Sequence, residues 1–139
     1  MLAAGTMALG ASPASAAPYW QVVDTGTGPT WTCGSTKAHK EVAGVGFQTC
    51  LVVNDNLAAQ SVLVVMNNSA KAIQLSGSVI TGSVITGSVI TDFGGNASCY
   101  SSTLNPGFQR GCFGPTRQVG TGTISASSRL KVNGVVDYN

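Results

Sequence analysis

Charge is the scarcest property of this sequence. Of its 139 residues, seven are Lys or Arg and five are Asp or Glu, 9% in all, against roughly 25% in an ordinary soluble domain. So sparse a set rules out a disordered polyampholyte and a coiled coil, whose e and g positions must be charged. The net charge of +2 supplies no basic field for nucleic acid, and no nucleic-acid partner is expected. Long apolar runs are missing too. None approaches the roughly 18–20 residues of a membrane helix, so no membrane span is expected.

Catalytic groups are equally thin. Asp24, Glu41, Asp55, Asp92 and Asp137 are spread over the chain and form no sequence motif for glycoside hydrolysis. There is one histidine, His39, between Lys37 and Lys40, where it reads as an exposed loop residue. No Gly-x-Ser-x-Gly elbow is present. The cysteines contain no C-x-x-C pair, and one histidine cannot complete a zinc site of usual spacing. Asn54-Asp55-Asn56 has the look of a calcium loop but lacks its glycine and distal glutamate, so it reads as a turn. Neither a metal nor a cofactor is expected, and no residue stands out as catalytic.

What is present is small and polar, or β-branched. Gly, Ser and Thr make 47 residues, and there are 16 valines. Met1 to Leu9 is apolar, and Ala14-Ser15-Ala16 is a signal-peptidase site, so residues 1–16 read as the remnant of a cleaved signal peptide. No Lys or Arg precedes Lys37, so the positive start of such a leader is expected upstream of Met1. The expected domain is 17–139, secreted and extracellular. Four cysteines in an exported chain imply two disulfides with three open pairings. Cys33–Cys50 and Cys99–Cys112 are favoured because each closes a short loop, at about 3 kcal/mol by chain entropy.

The apolar pattern has period two. Val45, Phe47, Thr49, Leu51 and Val53 alternate with Gly46, Gln48, Cys50 and Val52, as a half-buried strand does. Val62 to Met66 is apolar on both faces, as in a central strand. Further short strands are expected at Tyr19–Val23, Ile73–Leu75, Ser98–Tyr100, Gln109–Phe113, Val119–Ser125, Leu130–Val132 and Val135–Asp137. Asn133-Gly134 is a two-residue hairpin signal. About eight short strands with Gly/Asn turns predict an all-β fold, an antiparallel β-sandwich of Ig-like or Greek-key type stapled by the two disulfides.

Residues 77–91 read Gly-Ser-Val-Ile-Thr three times over. Five is odd, so on one strand successive copies would face opposite ways. Fifteen residues would also reach about 50 Å, too far for this domain. A turn at one Gly-Ser, folding copies back on each other, is the expected solution. The tract is uncharged, β-prone and free of proline, so it can support self-association.

The aromatic residues are the best recognition candidates. Trp31, two residues before Cys33, is expected to plug a core beside the disulfide, which leaves Trp20 the more exposed tryptophan. The segment from Cys99 to Cys112 contains the turn Asn105-Pro106-Gly107, expected to project Phe108 and Arg110, with Tyr100 close by. The candidate binding residues are Trp20, Tyr100, Phe108 and Arg110. Asn67-Asn68-Ser69 and Asn96-Ala97-Ser98 fit the glycan-acceptor pattern and imply exposure only.

The Ala-rich leader, Ala14-Ser15-Ala16, Phe47-Gln48-Thr49-Cys50 and Ser98-Cys99-Tyr100-Ser101-Ser102 resemble small secreted two-disulfide proteins of the Streptomyces type, from actinobacteria. That group includes subtilisin inhibitors, whose reactive-site motif this sequence does not show. The expected function is extracellular surface recognition or association by a non-enzymatic module, with an extracellular protein or polysaccharide as partner. One alternative is a protease inhibitor presenting the Cys99–Cys112 loop. The other is an extracellular hydrolase using His39.

Overall fold

A computed structural model describes residues 19–23, 30–54, 56–86, 88–92, 96–120 and 122–139. The leader, Asp24 and Asp55 lie outside these. The described residues form strands and turns, with no helix. Five strands open a first sheet: β1 (Trp20–Gln21), β2 (Thr30–Cys33), β3 (Lys37–Ala38), β4 (Val45–Val53) and β5 (Ala58–Asn67). Five build a second: β6 (Ile73–Leu75), β7 (Val79–Thr86), β8 (Val89–Asp92), β9 (Ala97–Ser98) and β10 (Ser102–Leu104). The chain returns to the first sheet with β11 (Gln109–Phe113) and β12 (Arg117–Gln118) and ends in the second with β13 (Thr123–Val132) and β14 (Val135–Tyr138).

The result is an antiparallel β-sandwich. The first sheet runs β1-β11-β5-β4-β2, with β12 also on β5 and β3 also on β4. The second runs β9-β7-β13-β6-β10, with β14 on β13 and β8 on β7. There are more strands than the sequence pattern predicts because several lie end to end along one neighbour. Thus β8, β9 and β10 all run antiparallel to the β7–β6 stretch. The strand expected at Val119–Ser125 begins instead at Thr123 and continues unbroken to Val132, after a break at Gly120 with φ +68°.

Two turns form as their chemistry dictates. Asn54 Oδ1 accepts the backbone N–H groups of Asn56 and Ala58, both at 3.0 Å, which closes β4 onto β5. Asn133 and Gly134, at φ +50° and +85°, close β13 onto β14 with Val132 opposite Val135. Positive φ at both positions is what a type I′ turn requires.

Alternation places the core. Val45 and Phe47 of β4 and Leu63 and Val65 of β5 face Ile73, Leu75, Ile80, Leu130 and Val132 of the second sheet, each at most 1% exposed. The other face of β4 and β5 carries a smaller cluster of Cys50, Val62 and Val64. Trp31 belongs there, half-buried, its ring 6.2 Å from Phe113 in edge contact. It shares a strand face with Cys33, so it does sit beside the Cys33–Cys50 bond, but on the outside of the first sheet.

Both expected disulfides are present, and they do different work. Cys33–Cys50 joins neighbouring strands of one sheet, whereas Cys99–Cys112 joins the end of β9 to β11 and so ties the two sheets together. At the opposite side of the sandwich the tie is polar. His39 is buried, not exposed as its surroundings in sequence suggested: Nε2 donates to Leu130 O at 3.1 Å, and Nδ1 accepts from Glu41 N at 3.1 Å. Its burial follows from β3, which lays the chain along β4 and turns this ring toward Phe47. Thr49 and Ser128 hydroxyls meet across the sheets at 2.7 Å. Asn139 Nδ2 donates to Phe47 O at 3.0 Å.

Lys37 Nζ stands 2.9 Å from Asp137 Oδ1, while Lys40 N donates to Oδ2 at 3.1 Å. The lysine hydrogen bond, against the opposing cost of burial and with help from the Tyr138 and Lys40 backbone N–H groups, lowers the Asp137 pKa from 3.8 to about 2. A carboxylate whose pKa is depressed on folding stabilises the fold fully above its unfolded pKa and stops doing so as pH falls through the folded one. The urea midpoint of the protein should therefore drop between about pH 4 and pH 2, and Asp137→Asn should flatten that drop while lowering the midpoint at pH 7. Parallel pH profiles for the two proteins would refute this role.

Candidate functional site

Three of the four candidate binding residues meet in one cleft. Trp20, Phe108 and Arg110 line it together with Leu75, Ser102, Thr103, Leu104 and Asn105, around a volume of about 110 Å³. The cleft opens where the β10 edge of the second sheet faces the β1–β11 edge of the first. Trp20 reaches it because β1 pairs with β11, Trp20 opposite Cys112, which turns the indole toward the disulfide and the central core. The indole N–H donates to Tyr100 O at 2.6 Å. Trp20 is consequently half-buried, as Trp31 is on the outer face of the first sheet.

Tyr100 contributes in another way. Its carbonyl fixes Trp20, and its ring packs against Tyr19 with centroids 4.5 Å apart, the residue as a whole being 44% exposed. Phe108 projects from the turn at 48% exposure. Arg110 does not project. It lies within β11 opposite Val65, half-buried, with its guanidinium 5.0 Å from the Phe108 ring centroid and Nη1 donating to Gln109 O at 2.8 Å. The strand extends to Gln109, one residue past the turn, so the arginine belongs to the sheet.

The residue that builds the site was invisible in the sequence. Asn67, at the end of β5, is fully buried. Its Nδ2 donates to Lys71 O at 2.8 Å and Leu104 O at 3.0 Å. Its Oδ1 accepts from Ser69 N at 3.0 Å and Ser69 Oγ at 2.6 Å. Its backbone is used as well, with Asn67 N donating to Phe108 O at 3.0 Å and Gly107 N to Asn67 O at 2.7 Å. One residue thereby fixes both places, its side chain the crossing into β6 and the end of β10, its backbone the turn that carries Phe108. The glycan-acceptor pattern implied an exposed Asn67; burial and these hydrogen bonds leave its amide no room for a glycan on the folded chain. Pro106 and Gly107, at φ +85°, complete the turn as their chemistry demands.

The walls are chemically restricted. Ser102, Thr103 and Asn105 offer hydroxyl and amide groups, Arg110 is the cation, and no acid takes part. The lining sets no carboxyl beside another and no histidine beside its hydroxyls. His39 lies apart, with both ring nitrogens taken by backbone groups. Among the described residues no cluster of His, Cys, Asp or Glu is placed to hold a metal, and no helix is long and apolar enough to cross a membrane. A wider depression of about 240 Å³ lies over Val79, Thr81, Ser127, Arg129 and Tyr138. Of the serine and threonine hydroxyls in and around it, Thr81 and Ser127 are paired with each other at 2.6 Å and Ser128 is paired with Thr49 at 2.7 Å.

No family model matches the chain, and no curated protein matches its sequence. Asn67→Ala should cost about 3 kcal/mol, because it leaves the Lys71 and Leu104 carbonyls without their donor. Urea unfolding checks this, and a loss below about 1 kcal/mol would mean that the turn holds itself.

Proposed function

We propose that the protein is a secreted, non-enzymatic recognition module whose binding surface is the cleft of Trp20, Phe108 and Arg110 with the Tyr19–Tyr100 pair beside it. The observation that carries this reading is the convergence of these residues, distant in sequence, on a turn held by a disulfide and a buried asparagine. A surface already ordered loses less entropy on binding. Aromatic faces next to hydroxyl and amide groups suit a sugar ring, which presents C–H groups to the first and hydroxyls to the second. An extracellular polysaccharide is therefore the partner this chemistry favours, ahead of a protein.

Export is supported by the Ala-rich leader and by two disulfides, bonds that persist in oxidising compartments. The likeness to secreted actinobacterial proteins points the same way. The inhibitor reading draws less support, since an arginine offered to a protease must sit on an extended, unpaired segment, and Arg110 is paired within β11. Recovery of the protein on cell walls, chitin and cellulose tests the proposal. Binding to one of them should fall at least tenfold in Trp20→Ala and in Phe108→Ala, and stay unchanged in a variant of Leu57, an exposed residue at the β4–β5 turn. Retention of full binding by both cleft variants would refute the site.

A further inference from the structure

Of the strands in the second sheet, β8 is the least guarded. It pairs with β7, and no described residue pairs with its other edge. Its Val89 and Ile90 are 58% and 69% exposed. Natural sheets blunt a bare edge with charge, proline or a bulge. Between Lys71 and Asp92 this chain has neither a charged residue nor a proline.

The hairpin itself shows what such an edge accepts. Val84-Ile85-Thr86 of the second repeat copy pairs with Val89-Ile90-Thr91 of the third: Val84 opposite Thr91, Ile85 opposite Ile90, Thr86 opposite Val89. The unit is self-complementary in antiparallel register, with isoleucine against isoleucine. Successive residues of a strand turn their N–H and C=O groups to alternate edges. One set on β8 serves β7, and the other faces outward.

We propose that the open edge of β8 is a self-association site, where a second copy of this chain adds its own β8 antiparallel about a two-fold axis through Ile90. In that register Ile90 meets the partner's Ile90 and Val89 meets the partner's Thr91, while Ser88, in the turn, lies just beyond the paired residues. The charges are compatible, because the two aspartates stand at opposite ends of the paired strands. Like charges placed directly opposite would repel. The contact is isologous and closes as a dimer in which two second sheets become one. It also consumes the edge that would otherwise template open-ended stacking. A pairing this short lies below the roughly 1,000 Å² of a stable interface, so the dimer dissociates readily.

Sedimentation velocity on the full chain, over concentrations up to about 1 mM, is the first test. The sedimentation coefficient should rise with concentration toward that of a dimer. Ile90→Lys should hold it at the monomer value with an unchanged melting curve. The second test is mild oxidation of Ile90→Cys and, separately, Ser88→Cys. Only residue 90 faces its own copy, so Ile90→Cys should cross-link to a dimer and Ser88→Cys should lag at least tenfold. A wild-type chain that stays monomeric, an Ile90→Lys chain that still associates, growth past the dimer, or equal cross-linking of the two cysteine variants would each overturn the proposal.

Discussion

The Cys99–Cys112 bond closes one side of a sandwich whose two sheets otherwise meet through side-chain packing and hydrogen bonds. It fixes the end of β9 against β11, and the thirteen-residue separation between its cysteines spans β10, the Asn105–Phe108 turn and most of β11. Most of the cleft and the tyrosine beside it lie against that closure. Trp20 pairs across from Cys112, Tyr100 follows Cys99, and Phe108 and Arg110 lie inside the closed segment. A covalent tie removes open conformations from the unfolded ensemble. Here it also sets the distance between the edges that form the site.

The far side of the sandwich is closed by polar contacts. His39, Thr49, Lys37 and Asn139 reach from one sheet to the other or to the chain beside it, and each meets a specific partner. This is where the scarce charges matter. Asp137 keeps its charge because a lysine and two backbone N–H groups surround it. Elsewhere Ser, Thr, Asn and Gln carry surface polarity alongside a few exposed ions such as Lys71 and Arg117, a composition that a fold stapled by disulfides can sustain.

The alternation of Val45–Val53, the turn chemistry of Asn54 and Asn133-Gly134, and the spacing of the cysteines made the sandwich and its staples legible. Those signals are local, and none reaches beyond the 17 residues between Cys33 and Cys50. The candidate site was partly legible, because aromatic residues in a disulfide-closed segment announce themselves. The burial of His39 and Asn67 was not. His39 sits among Lys37, Lys40 and Glu41, and Asn67 opens the polar stretch that ends an apolar strand, while their distant partners, Leu130 for one and Leu104 for the other, lie 91 and 37 residues away. A polar side chain is buried when the fold brings it a partner, and no local pattern records that.

The repeat divides what was determined from what was decided. Its sequence required a fold back on itself, because a five-residue period cannot keep one face inward along a strand. The chain does so, with the third copy paired to the second. Yet three identical units occupy three environments. Ile80 is fully buried in the core, Ile85 is half-buried, and Ile90 is 69% exposed. The sequence by itself determined strand, period and turn, since these follow from each residue and its neighbours. Only the tertiary structure decided which isoleucine is core and which is surface, because burial belongs to the sheet that packs above a residue, and identical residues carry no information about that.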